Sequence, residues 1–309
     1  MKIVFMGTPV FGTLVLESLI KEYDVVGVVT QPDKMVGRKK ELTFSPIKKL
    51  AIKHGIKVFQ PPKIKEEYSA ILEINPDMII TCAYGQIIPK SILDFPKFGC
   101  INVHASLLPK LRGGAPIHRA IINGYDKTGI TIMYMDEQMD SGDIIETSEI
   151  PIMLYDNVGT IHDKLMVLGA SLLIKTIPSI VEGTNKRIKQ DINEVTFAKI
   201  IKKVDEKIDF GKTKIEVFNQ IRGLNPFPGA YSVLDGEIIK IYSSVMIDRD
   251  EMSLCGSIVD ITDEEIIVKV MDGLIGITEI QVSGKKKMTV KDYLNGLKDK
   301  KKLINKVFE

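Results

Sequence analysis

Cys100-Ile-Asn-Val-His-Ala-Ser-Leu-Leu-Pro-Lys-Leu-Arg-Gly-Gly-Ala-Pro116 runs from a short apolar segment into polar residues and then into a glycine-bearing turn. Cys100 to His104 has the β-branched, apolar character of a buried strand, and within it Asn102 and His104 stand two residues apart. Side chains alternate across a strand, so both project from one face. Ser106-Leu-Leu-Pro109 follows as a rigid connection and Gly113-Gly114 as a flexible one. Pro116 then takes the first position of a helix that Gly124 closes.

Upstream, Lys2 to Met6 reads as a buried strand, with Thr8 as N-cap and Pro9 as first residue of the helix after it. Val25 to Val29, Lys57 to Phe59 and Asp77 to Cys82 are further strands, and Ser45-Pro46 opens a helix that stops at Gly55. Strands alternating with helices predict a doubly wound, Rossmann-like parallel sheet. Such sheets bind ligands beyond the carboxyl ends of their strands, so Gly7-Thr8, Gln31-Pro32, Tyr84-Gly85 and Asn102 to Leu108 should converge.

Downstream, Thr131 to Met135 and Ile144 to Ile152 read as strands around a turn carrying Asp136, Asp140 and Asp143. Thr160-Ile-His-Asp163 fits a capping box and starts a long amphipathic helix. Residues 1–185 thus make a first domain, and the basic stretch 186–206 an interdomain linker. Residues 207–309 make a second domain. It opens with a helix capped by Thr213-Lys-Ile-Glu216 and continues in short strands, with hairpin turns at Asp235-Gly236 and Asp272-Gly273. Short strands at this density predict a small β-barrel.

The 309 residues are 44% hydrophobic and carry a formal net charge of +2, enough for ordinary cores and too balanced to imply a polyanionic partner. Cys82, Cys100 and Cys255 show no CxxC spacing, so neither a disulfide framework nor a zinc site is suggested, and a reducing, cytoplasmic setting fits. No metal is expected, because the three aspartates of the turn lack His or Glu partners at ligand spacing. The apolar start is too short for a signal peptide, and no later stretch reads as long enough to span a bilayer, so no membrane partner is expected. Nor does any obligate protein partner suggest itself.

Asn102-Val-His104-Ala-Ser-Leu-Leu-Pro109 with Arg112-Gly-Gly-Ala-Pro-Ile117 resembles the signature of formyltransferases that use 10-formyltetrahydrofolate. Met6-Gly-Thr-Pro9, Thr30-Gln-Pro-Asp33, Ala83-Tyr-Gly85, Met135-Asp136 through Asp143 and Arg222-Gly-Leu-Asn-Pro-Phe-Pro228 resemble the same family in the same order, so the likeness covers nearly the whole chain. It implies an OB-like second domain and, within the family, the branch that formylates methionine on initiator Met-tRNA.

Formyl transfer to an amine needs a neutral amine, a polarised carbonyl and a route for the proton. On the resemblance, Asn102 supplies the oxyanion donor, His104 the proton-transfer group and Asp140 the carboxylate that orients the imidazole. A lone histidine is more often a satisfied core or surface residue, and His54, His118 and His162 are read that way. The family likeness also implies that Ser106, Leu107, Leu108 and Pro109 line the folate site, with Tyr84, Gly85, Ile88 and Asp136 beside them. Lys34, Arg38, Lys39 and Lys40 would meet the tRNA acceptor stem through phosphate contacts. The lysine-rich tail from Lys285 to Lys306 adds a basic face to the second domain.

Phe227 and Gln138 depart from the family pattern, which usually has tryptophan and glycine there. A formyltransferase for glycinamide ribonucleotide or an amino sugar nucleotide is the nearest alternative. Ala105 after the histidine and the basic second domain favour tRNA. A dinucleotide-dependent oxidoreductase is remote: Gly7-Thr-Pro-Val-Phe-Gly12 is not GxGxxG, and Pro9 occupies the place of the second glycine. A noncatalytic tRNA-binding module would leave His104 without a role.

Overall fold

Strand β1 (Lys2–Gly7) is buried from Ile3 onward, the pattern of a strand covered on both faces. In this computed structural model, which describes residues 1–37 and 41–309, β1 leads through a 3-10 turn at Val10–Gly12 into helix α1 (Thr13–Glu22). Thr8 is therefore not the N-cap expected from sequence. Its hydroxyl donates to the Tyr84 carbonyl at 3.0 Å instead. A Cβ on Gly7 would meet the Cys82 carbonyl at 2.8 Å, so only glycine allows this close strand-end crossing.

The chain continues through β2 (Asp24–Val29), the small hairpin β3 (Lys34–Val36) and β4 (Glu41–Thr43), α2 (Pro46–Lys53), β5 (Val58–Phe59), α3 (Ser69–Leu72), β6 (Met78–Cys82), α4 (Lys90–Leu93) and β7 (Cys100–His104). Ser45 caps α2 by accepting from Lys48 N at 3.0 Å. Next come α5 (Pro116–Ile122), β8 (Lys127–Tyr134), β9 (Ile144–Pro151) and α6 (Val158–Glu182). The first sheet has seven strands in the order β5-β2-β1-β6-β7-β8-β9. The strands from β5 to β7 are parallel, whereas β8 pairs antiparallel to β7, with His104 opposite Thr131. The sheet is thus mixed: β8 starts at the end of the sheet where β7 stops.

Helix α6 spans 25 residues, and its most apolar window has a mean hydropathy of 1.6, long and apolar enough by length and composition to cross a bilayer. That corrects the expectation that no stretch reaches such a length. Here Ile161, Leu165, Leu173 and Ile177 are fully buried, and a Cβ on Gly169 would stand 3.1 Å from Val103, so the helix lies against the sheet. It also starts two residues before the expected box. Asn157 Oδ1 accepts from Thr160 N while Thr160 Oγ1 accepts from Asn157 N, which makes Asn157 the cap.

The chain divides into two compact units: 1–116, 128–150 and 162–198 form one, and 117–127, 151–161 and 199–309 the other. Within the stretch 186–206, Ile188 bridges to Ile144 and Phe197 to Arg112 in the first unit. The second unit adds α7 (Lys203–Glu206), α8 (Lys214–Gly223), β10 (Ala230–Leu234), β11 (Glu237–Ile247), β12 (Ile258–Ile261), β13 (Ile266–Val270), β14 (Gly273–Val282), β15 (Met288–Thr289) and α9 (Val290–Asn295). Its antiparallel sheet runs β10-β11-β14-β13-β12, with β15 on β14. The reciprocal box of Thr213 and Glu216 opens α8 as expected. The Asp235-Gly236 turn also appears as expected, whereas Gly273 pairs with Val270 and the second turn is Met271-Asp272. Asp272 is held by Lys214 N at 2.6 Å, which fixes it outside the ladder.

The last residues close this sheet. Glu309 exchanges backbone hydrogen bonds with Val233 on β10, and residues 305–308 bond to Gly256 and Ile258 beside and within β12. Each edge strand thereby gains a partner, which removes the exposed edges that invite aggregation. Leu303 within the lysine-rich tail and Phe308 just after it are buried, Phe308 lying 5.5 Å from the Phe210 ring.

Candidate active site

Three of the expected strand ends meet. The Thr8 hydroxyl accepts from Gln31 N at 3.3 Å, and Gln31 Nε2 donates to the Tyr84 carbonyl at 3.2 Å. Gln60 ties the same region down by donating to the Gln31 carbonyl and to Asp33, each at 2.9 Å. Lys34 stands exposed at the start of β3. Arg38, Lys39 and Lys40 lie outside the described residues.

Asn102 and His104 share one face of β7, as the alternation requires. Thr81 on the parallel neighbour β6 donates to Asn102 Oδ1 at 2.9 Å, which leaves the amide N–H groups as the end able to serve a reacting oxygen. His104 is only 6% exposed, so its interactions are those of a buried imidazole. Nε2 lies 3.2 Å from the Leu111 carbonyl, and Nδ1 lies 3.7 Å from Asp140 Oδ1. The second distance is an ion-pair separation, longer than a hydrogen bond. The other carboxylate oxygen of Asp140 accepts from Gly113 N at 2.7 Å. Sequence reading missed Thr81 and the Leu111 carbonyl, because neither residue type advertises its role without the register that delivers it.

The segment after β7 is pinned by one hydroxyl. Thr131 Oγ1 donates to the Ser106 carbonyl at 2.7 Å and accepts from Leu108 N at 3.1 Å, while Ser106 Oγ donates to the Lys110 carbonyl at 2.7 Å. The Leu108–Pro109 bond is cis. Leu108 packs with Met133 and Ile144, and Leu107 is half-buried. Tyr84 and Ile88 lie in the core cluster that Met135 packs against. Asp136, next in the chain, is exposed and accepts from Glu137 N at 2.7 Å. Gly85 is exposed with φ of +91°, a left-handed conformation that glycine adopts freely.

Among the described residues the buried Tyr84 hydroxyl has no hydrogen-bond partner, and burial pushes its pKa up to about 12. Burial likewise pushes the Cys82 and Cys100 thiols up to about 12. Neither supplies a thiolate near neutrality, which argues against cysteine nucleophilic chemistry here. Among the described residues no group of three His, Cys, Asp or Glu side chains is arranged to hold a metal ion.

An imidazole between a carboxylate and a carbonyl, beside an oriented amide at the end of a Rossmann-like sheet, is equipped for acyl-type group transfer with proton movement. The Formyl transferase model matches residues 1–177, and the Formyl transferase, C-terminal domain model matches residues 200–298. The chain belongs to the formyl transferase family and is a formyltransferase enzyme. Methionyl-tRNA formyltransferase of Staphylococcus aureus strain MW2 is 50% identical over 98% of this chain and 99% of its own. That of the bovine strain RF122 / ET3-1 is 51% identical over 96% of each. Among solved structures, the sugar 3N-formyl transferase WlaRD covers 93% of this chain and 99% of its own, with a TM-score of 0.68 at 22% identity. HypX from Aquifex aeolicus, in complex with tetrahydrofolic acid, covers 94% of this chain and 46% of its own, with a TM-score of 0.64 at 16% identity. At those identities the two structures speak for the fold alone.

Proposed function

We propose that this enzyme transfers the formyl group of 10-formyltetrahydrofolate to the α-amine of methionine on initiator Met-tRNA, for translation initiation in the cytoplasm. Half-identity to methionyl-tRNA formyltransferases along essentially the whole chain carries this reading. The amine nitrogen attacks the formyl carbon, and the carbonyl electrons move onto oxygen, where the Asn102 amide N–H donates. His104 takes up the proton that the amine loses. The oxyanion electrons then re-form the carbonyl, the bond from the formyl carbon to N10 of the folate breaks, and His104 gives the proton it took to N10 as tetrahydrofolate leaves. Asp140 sets the imidazole's orientation.

Ser106 to Pro109, with Tyr84, Gly85, Ile88 and Asp136, form the proposed folate-lining set. Their support is the tight pinning of the 106–110 turn and the orphaned Tyr84 hydroxyl. Lys34 on β3, with Arg38, Lys39 and Lys40 further along the sequence, is the proposed phosphate-contacting set for the acceptor stem. Residues 1–185 act as the catalytic domain, 186–206 as the link, and 207–309 as the tRNA-binding barrel. Single-turnover formylation of charged initiator Met-tRNA, with 10-formyltetrahydrofolate as donor, tests this. Formylation of glycinamide ribonucleotide or an amino sugar in its place would overturn the acceptor assignment.

A further inference from the structure

Gln190 falls in the stretch that sequence reading assigns to a linker, yet its side chain holds the loop that carries Asp140. Its Oε1 accepts from Arg112 Nε at 3.0 Å and Nη2 at 2.8 Å. Its Nε2 donates to the Asp140 carbonyl at 2.9 Å and the Gly142 carbonyl at 2.8 Å. One amide thus grips two segments, and His104 touches both: the Leu111 carbonyl on one side, the Asp140 carboxylate on the other.

Asp140 has φ of +51°, a left-handed conformation that aspartate adopts more readily than most non-glycine residues. A Cβ on Gly142 would fall 2.0 Å from the Tyr134 carbonyl, so the chain there passes too close to β8 for any other residue. The two carbonyls that Gln190 bonds are those of these two residues. Resting on the reading of His104 and Asp140 as the working pair, we propose that Gln190 is a positioning residue for formyl transfer, setting Asp140 against His104 and coupling that placement to Arg112.

The amide is chemically suited to both tasks. A glutamate at this position would keep Arg112 but present no donor to the two loop carbonyls, whereas a methionine of similar length would satisfy neither side. The test compares Gln190→Glu and Gln190→Met, each in the wild-type and Asp140→Ala backgrounds, by single-turnover formylation and by equilibrium binding of the folate donor. Both substitutions should slow the wild-type background by about 10- to 100-fold, the loss expected from an ångström-scale misplacement of a working group. Donor binding should stay within about twofold. Neither should slow the Asp140→Ala enzyme further, because residues acting as one unit are non-additive.

If the Gln190 losses multiply with that of a slow Asp140→Ala enzyme, or if donor binding is lost together with the rate, Gln190 is a structural residue and the proposal is overturned. An Asp140→Ala enzyme as fast as wild type would overturn the pairing of His104 with Asp140, and the proposal with it.

Discussion

In the first unit left-handed backbone falls on an alanine and a leucine as well as on Asn and Asp, whereas among the described residues of the second its non-glycine cases are Asp and Asn alone. In the first unit Asn75, Ala83, Leu111 and Asp140 have φ of +55°, +52°, +62° and +51°. Ala83 directly precedes Tyr84, Leu111 supplies the carbonyl facing His104, and Asp140 supplies the carboxylate. In the second unit the comparable residues are Asp235 and Asn305, with φ of +52° and +68°. Asp and Asn tolerate that region through local hydrogen bonds, and Asp235 sits in a hairpin turn that wants it. Alanine and leucine have no such relief. At Ala83 and Leu111 the first unit therefore holds backbone strain beside its proposed site, while the second uses left-handed residues as ordinary turn formers.

Paired substitutions separate the two regions most sharply. His104→Ala should cut single-turnover formylation by about 10²–10⁴, the range for a positioned proton-transfer group, and Asn102→Ala by about 10²–10³ as a lost oxyanion donor. In both, thermal unfolding should move little. Phe308→Ala should do the reverse. Removing the ring that packs on Phe210 should cost about 3–5 kcal/mol of stability, read by denaturant unfolding, while the folded enzyme keeps its rate. A Phe308→Ala enzyme with intact stability would mean that the tail does not seal the barrel.

The strain comparison has its own pair. Ala83→Gly, at an exposed left-handed position, should stabilise by up to about 1 kcal/mol. Asp235→Gly should stay within about 0.5 kcal/mol, the ordinary range for a surface change. Equal gains at both sites would remove the distinction drawn between the units.

The smallest effect lies in acid. Hydrogen bonds from Lys48, at 2.5 Å, and then from Gln60 hold the Asp33 carboxyl below its ordinary pKa of 3.8. A depressed folded pKa contributes stability in full above the unfolded value and loses it as pH falls through the folded one. The Tm of Asp33→Asn should therefore lie slightly below wild type at neutral pH, with the gap closing below about pH 4. A gap that stays constant into acid would show that the Asp33 charge contributes nothing.

Much of this was legible in the residues. The same-face placement of Asn102 and His104 follows from strand alternation, and Asp235-Gly236 and the Thr213 to Glu216 box behave as their local chemistry dictates. The misses share one cause: a polar group drawn to a distant partner. Thr8 gives up its cap for the Tyr84 carbonyl, and Met271 leaves the expected strand as its backbone N–H donates to the Lys212 carbonyl.

By itself the sequence determined the alternation of strands and helices, the hairpin-rich second region and the residues able to do chemistry, because periodicity, caps and turn preferences act over a few neighbouring residues. Only the tertiary structure decided that β8 runs against β7, that Glu309 closes the barrel onto β10, and that Asp140 and Leu111 bracket His104. Those outcomes depend on hydrogen bonds between segments far apart in the chain, and no local preference carries that information.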